Sequence, residues 1–328
     1  MNTAETVLEQ QKRPKQMKEK RTAKGKQKFS KDRLKKQIMF QAMALPGVIF
    51  MIVFTILPIY GLLIAFQRFN IFRGVWDSPW VGFYHFQAFF RSPDFAMVMG
   101  NTIGMNLLRI FTAFPLTIIV AIMINELKNM RFKKTLQTVS YLPFFISWVV
   151  LGGMIIAWLS EVGLVNNVLM DLGLINERIP FLTDPSNYWT IAIISDIWRT
   201  LGWNTILYLA AMTAIDPTLY EAARIDGGSK IQQIIYITIP GIRNIIALTL
   251  VLTVSGLLGS NLDQTLILQN STNFARSEVL GSYVFRQGLM MGNFSFATAI
   301  GIMVSIISFI LVIGSNALSK KIGDADIF

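Results

Sequence analysis

Long uncharged runs, each about one bilayer wide, alternate along this chain with short charged connectors. The first run, 43–66, lies in a stretch free of charge between Lys36 and Arg68, and it exceeds the roughly 20 residues that cross a bilayer as helix. The same reasoning predicts spans at 101–125, 139–159, 188–212, 245–262 and 296–318. Pro46 and Pro58 in the first run, and Pro115 in the second, predict kinks or irregular ends that neighbouring helices can support. The connector 67–96 carries Trp76, Trp80, Phe83, Tyr84 and Phe86, a composition suited to a membrane interface or an external loop. The pattern predicts an all-α membrane protein: six transmembrane helices over 37–328, behind a polar tail at 1–36.

Composition agrees with that class. Of 328 residues 53% are hydrophobic, more than a soluble domain of this size carries. The absence of cysteine excludes disulfides, zinc-thiolate sites and thiol nucleophiles, and the lone His85 excludes a histidine metal cluster. The net charge of +11 is concentrated at the start, with thirteen Lys or Arg between Lys12 and Lys36. That segment cannot bury enough apolar surface to fold alone and has no signal-peptide core directly behind Met1. Beside a membrane span it is expected to be a cytoplasmic anchor near anionic lipid, and a nucleic-acid partner is not expected.

Six spans return both termini to one side. Lys and Arg number 22 on that side against 6 on the other, with Arg109 and Arg199 inside spans. Basic residues favour the cytoplasm, so the termini are expected there, together with the segment 216–241. That segment contains YEAARIDGGSKIQQIIYITIP. Asp216 before Pro217 forms a helix start, an acidic N-cap followed by proline at the first helical position. A short helix through Ile225 can run to Gly227-Gly228, where glycine ends helices easily. Ser229 and Gln232 have capping-box spacing, so a second helix begins at once. Ile231, Ile234, Ile235 and Ile239 share one side of it, and Pro240-Gly241 ends it.

Charges inside spans are costly unless paired or facing a wet interior. Asp196, Arg199 and Trp203 fall at i, i+3 and i+7 on one helix face. Two readings stay open. Asp196 and Arg199 could neutralise each other structurally, or they could wall a translocation path with Asn204 beside them and Trp203 offering a flat surface to a sugar ring. Asn106 and Arg109 in the second span invite the same path reading. Phe144, Phe145 and Trp148 read as packing or interfacial residues. No phosphate-cradling G-x-x-x-x-G-K-[ST] sequence occurs, and no catalytic set can be assembled. No phosphate-loop site for ATP is therefore expected within the chain itself.

The segment 220–240 closely resembles the EAA loop of bacterial ABC-importer permeases, matching at Glu221, Ala222, Ala223, Asp226, Gly227, Gly228, Ile237 and Pro240. Ile239 replaces the usual leucine, and Ile234 stands where phenylalanine is common. FNIFRG (69–74), SPWVGFYHF (78–86), TVSYLPFFISWVV (138–150), FLTDP (181–185) and SDIWRTLGWNTILYLAA (195–211) are similar to the oligosaccharide and polysaccharide-uptake branch of the carbohydrate importers. Tyr283, Val284 and Arg286 in 271–289 match that branch, while the residues ahead of them diverge. The resemblance implies a type I importer permease in the bacterial inner membrane and no enzyme. It implies no cofactor in this chain, because ATP is bound by a dimer of nucleotide-binding ATPase subunits. A second permease subunit and an extracytoplasmic solute-binding protein that delivers a sugar or oligosaccharide complete the implied assembly. The competing class is an ion-driven secondary transporter of a polar solute, whose usual internal repeat is not evident here.

Overall fold

The computed structural model describes residues 31–322, with side chains over 35–317. Most of the basic tail, 1–30, and the last residues, 323–328, lie outside the described residues. Among those described, every regular element is helical. Extended pairing is confined to two isolated bridges, Gln67 with Trp80 and Asn70 with Gly74.

Two compact units divide the chain, one ending at Gly61 and the other beginning at Leu62. The first contains α1 (Lys31–Met51), a π-helical turn at Ile52–Ile56 and a helical turn at Leu57–Ile59. Its described side chains up to Ile59 are all exposed. The π turn has a local cause. Pro58 has no N–H and its ring crowds the preceding turn, so Leu57 N–H reaches back to the Ile52 carbonyl in a wider loop.

The second unit contains α2 (Tyr84–Phe90), α3 (Phe95–Glu126), α4 (Met130–Tyr141), α5 (Trp148–Leu159), α6 (Leu164–Asp171) and α7 (Tyr188–Thr213). After these come α8 (Pro217–Ile225), α9 (Lys230–Gln233), α10 (Arg243–Ser255), α11 (Leu262–Leu268), α12 (Phe274–Ser277), α13 (Leu280–Phe285) and α14 (Phe294–Ile322). Four helical segments are long and apolar enough to cross a membrane: Lys35–Phe66, Phe95–Glu126, Trp148–Asp171 and Phe294–Ala317. The pair Lys230–Gly241 and Arg243–Ser255, bent by 63°, is a fifth candidate. With 26 residues, about 39 Å of rise, α7 is long enough as well, but Asp196, Arg199 and Asn204 make it less apolar than the others.

Helix boundaries differ from the apolar runs where local chemistry intervenes. The run 139–159 is split. Helix α4 ends at Tyr141, a 3₁₀ turn follows at Leu142–Phe145 with Pro143 inside, and Ile146 is extended. Ser147 then caps α5, its Oγ accepting from Val150 N at 3.3 Å. The run 245–262 likewise ends early, at Ser255. The carbonyls of Leu257 and Gly259 beyond that end accept from Asn106 Nδ2 of α3 at 2.8 and 2.7 Å, which satisfies backbone that left its helix.

Helices α3 and α7 pack along their length and organise the unit. Near the loop 214–242 they meet through Ala121, Ile124, Tyr208, Leu209, Met212 and Ile242. At the other end Met105, Trp148, Leu151, Ile155, Tyr188, Ala192, Leu268 and Val279 form a second core. Gly202 lets α7 close against α4, since a Cβ there would run into the carbonyl of Ser140. Such small-residue approaches are how helices gain packing where lipid is as apolar as the side chains.

Candidate functional site

The segment 216–241 folds as two short capped helices. Asp216 Oδ1 accepts from Thr218 N at 2.9 Å, and Pro217 takes the first helical position of α8. This fully exposed carboxyl is held below its ordinary pKa by that backbone hydrogen bond. Gly227, with φ +76°, makes the left-handed turn that ends α8, a conformation costing a side-chain-bearing residue about 1–2 kcal/mol. The capping box is present: Ser229 N donates to Gln232 Oε1 at 2.7 Å and Gln232 N donates to Ser229 Oγ at 3.4 Å.

Beneath the loop, the buried Gln233 donates through Nε2 to the Gly228 carbonyl at 3.0 Å, and the hydroxyls of Tyr220 and Thr238 lie 3.0 Å apart. Lys230 pairs with Glu126, the last residue of α3, at 2.6 Å. The loop is thus fixed from below, while Glu221, Ala222, Asp226 and Gly227 are exposed and Ala223 and Gly228 half-buried. Apolar side chains share that outer surface: Ile225 is 86% exposed, Tyr236 75% and Ile231 68%. Pro240, also exposed, follows a π-helical turn at Ile234–Thr238, in which Ile239 N–H reaches the Ile234 carbonyl. Its proline chemistry is that of Pro58.

A cavity of about 670 Å³ lies between α3, α7 and α10, lined by Arg109, Thr117, Asp196, Trp203, Asn204 and Thr253 among others. It brings together four of the six path candidates. Of the two readings left open by the helix spacing, neutralisation of Asp196 by Arg199 within α7 is not what the structure shows. Asp196 faces Arg109 of α3, Oδ2 to Nε 3.6 Å, with both side chains about four-fifths buried. Arg109 also donates to Gln264 Oε1 at 2.8 Å and to Asn106 Oδ1 at 3.3 Å. Gln264 in turn donates to the Ala192 carbonyl at 2.7 Å and to Ser195 Oγ at 3.0 Å. One polar chain therefore joins α3, α7 and α11.

Arg199 turns away from the cavity. Its Nε donates to the Ile146 carbonyl at 3.0 Å, and its guanidinium lies over the rings of Phe144 and Trp148 at 5.3 and 5.2 Å. Those contacts stabilise the break between α4 and α5. Asn106 is also occupied structurally, as described above. Trp203 lies parallel to Phe144 at 4.4 Å, so one ring face is covered and 39% of the residue is exposed.

A further ion pair, between Glu278 and Arg286, escaped the sequence reading. Glu278 is fully buried and faces Arg286, with Arg286 Nε 3.0 Å and Nη2 2.9 Å from Oε1. Its Oε2 accepts from Gln269 Nε2 at 2.8 Å and Ser282 Oγ at 3.0 Å. The signal available was a lone acid four residues ahead of a serine, which is too common to single out.

This geometry, long apolar helices around a partly polar cavity with an exposed capped loop at one end, defines a polytopic helical transport component. The chain belongs to the family of binding-protein-dependent transport system inner membrane components, whose pattern it matches over residues 113–324. It is accordingly a membrane permease of ABC importers and not an enzyme. It is 37% identical over 286 residues to the polygalacturonan/rhamnogalacturonan transport system permease protein YteP of Bacillus subtilis, covering 87% of this chain and 89% of the relative. Protein LplB of the same organism is 32% identical, with coverage of 90% and 92%. The fold is that of a chain in the crystal structure of a bacterial ABC transporter involved in the import of the acidic polysaccharide alginate. The TM-score is 0.82 at 36% identity, covering 89% of this chain and 98% of the other. A second structure of a bacterial alginate transporter, in complex with an alginate pentasaccharide-bound periplasmic protein, gives 0.82 at 34% identity, with coverage of 90% and 99%.

Proposed function

We propose that this permease imports oligosaccharides derived from acidic plant or bacterial polysaccharides, handed to it by an extracytoplasmic solute-binding protein. It works beside a second permease subunit, and a dimer of ATPase subunits drives it from the cytoplasm. The observation that carries this reading is the loop 216–241, exposed, capped at both helix starts and tied from beneath, with Glu221, Ala222, Ala223, Asp226, Gly227, Gly228 and Pro240 in the EAA arrangement. Its charged and apolar side chains suit a protein partner, and its attachments to α3 and α7 carry a displacement of α8 into the helices around the cavity. The names of the relatives and structural neighbours support the substrate class.

Both termini and the loop then face the cytoplasm, and six crossings follow if the bent pair and α7 each cross once. The sugar path runs past Arg109, Asp196, Trp203 and Asn204, while Asn106 and Arg199 hold that wall from behind. Cells carrying Glu221→Lys or Gly227→Pro are expected to insert the protein at normal levels, yet to lose ATP-driven uptake of trigalacturonate at least about tenfold. Uptake at the wild-type rate by either variant contradicts the coupling role.

A further inference from the structure

A second hollow, of about 410 Å³, lies apart from the central cavity, and its chemistry is different. Arg68, Tyr84 and His85 line it from the segment ahead of α3, and Gln287 and Asn293 from the turn ahead of α14. On the orientation proposed above, both segments face away from the cytoplasm. The volume is in the range of small-molecule sites, roughly 300–1,000 Å³.

The polar groups here are held but not used up. The Arg68 backbone N–H donates to Pro79 at 2.9 Å, which fixes the residue. Its guanidinium lies 6.0 Å from the Tyr84 ring centre and has no ion pair among the described residues. His85 donates through Nε2 to the Gln67 carbonyl at 3.0 Å, which sets its tautomer and leaves Nδ1 as an acceptor. Burial, opposed in part by the Gln67 hydrogen bond and aided by neighbouring Arg68, holds its pKa below the ordinary value. Asn293 Nδ2 donates to Gln287 Oε1 at 3.0 Å, so among the described residues the side-chain atoms Gln287 Nε2 and Asn293 Oδ1 are left for another partner. A π-helical turn at Arg286–Met290 and Gly292 at φ +73° bring these two amides together, with Asn293 N donating to the Gln287 carbonyl at 2.9 Å. Irregular helical turns of this kind often mark functional positions.

We propose that this hollow is an outer binding site for a single carboxylate-bearing sugar unit. Arg68 pairs with the carboxylate, Gln287 and Asn293 with ring hydroxyls, and the Tyr84 ring covers an apolar sugar face. The inference rests on the substrate reading above and adds a stop between the solute-binding protein and the inner cavity. An acidic side chain of a docking protein would satisfy Arg68, but it would leave the amide pair and most of the volume unfilled.

The test uses the complete transporter in nanodiscs, without its solute-binding protein, titrated calorimetrically with trigalacturonate and with its methyl ester. The wild type is expected to bind the acid about tenfold or more tightly than the ester. Arg68→Gln should abolish that difference, Arg68→Lys should restore part of it, and Gln287→Ala should weaken both probes. Arg68 is exposed, so these variants are expected to fold. Equal affinity of wild type and Arg68→Gln for the acid overturns the site. So does an Arg68→Gln variant that loses only capture of the solute-binding protein. In either case ATP-driven uptake of trigalacturonate by the wild type leaves the importer reading standing. Failure of the wild type to take up trigalacturonate overturns the substrate reading, and this site with it.

Discussion

Asp196 and Arg109, about four-fifths buried in the wall of a membrane cavity, neutralise each other across two helices, and each is expensive to strand. A double-mutant cycle on Asp196→Asn and Arg109→Gln should give a coupling energy on the order of 0.5–2 kcal/mol in thermal unfolding of the detergent-purified protein. The cycle on Asp196→Asn and Arg199→Gln should give a clearly smaller one, because Arg199 is engaged with Ile146 and two aromatic rings. Equal coupling in the two cycles would restore the pairing suggested by helix spacing. Glu278 provides the larger effect. With no exposure and a single arginine partner, its truncation in Glu278→Ala strands Arg286 and should cost about 3–5 kcal/mol, read as a lowered unfolding midpoint. An unchanged midpoint would remove its structural role. Sequence spacing singled out Asp196, Arg199, Asn204, Asn106 and Arg109, because charges and amides stand out within apolar runs, and Trp203 because it shares a helix face with two of them. It could not assign partners, since Arg109 reaches Asp196 only through the packing of α3 on α7.

Local signals were read most reliably at helix starts. Asp216-Pro217 and Ser229 with Gln232 are present as caps because capping is decided by neighbours within four residues. Ser229→Ala should remove about 0.5–2 kcal/mol from α9 and speed amide exchange over 230–233, while amides of the α3–α7 core stay protected. Equally fast exchange in that core would mean that the loop and the helices unfold as one. Helix ends inside apolar runs were less legible. The run 139–159 looks continuous by hydropathy, yet Pro143 and the Ser147 cap divide it, and Arg199 from α7 satisfies the Ile146 carbonyl at the break. The early end of α10 likewise depends on Asn106, over 150 residues away in sequence. Such breaks become favourable only when a distant side chain replaces the lost backbone hydrogen bond, and no periodicity records that.

For the whole molecule, the apolar runs and the loop motif made the all-helical permease class readable from sequence. The topology of crossings rests on charge. Arg224 and Lys230 lie within the loop 216–241 and four more basic residues within 128–134, so the orientation does not depend on the tail alone. Deleting residues 1–30 should therefore leave cysteines introduced near Arg131 and Arg224 shielded from a membrane-impermeant thiol reagent, and a cysteine near Arg178 accessible to it. Labelling in the reverse pattern would invert the topology. The central claim is that this permease moves acidic oligosaccharides at the expense of ATP hydrolysed by partners docked on the loop 216–241. It is tested most directly by reconstituting the complete transporter, with its solute-binding protein, in liposomes and following uptake of labelled trigalacturonate. Uptake should require ATP on the side of the loop, stop with Glu221→Lys, and proceed without any ion gradient. Uptake that persists without ATP and follows an imposed proton or sodium gradient would contradict the account.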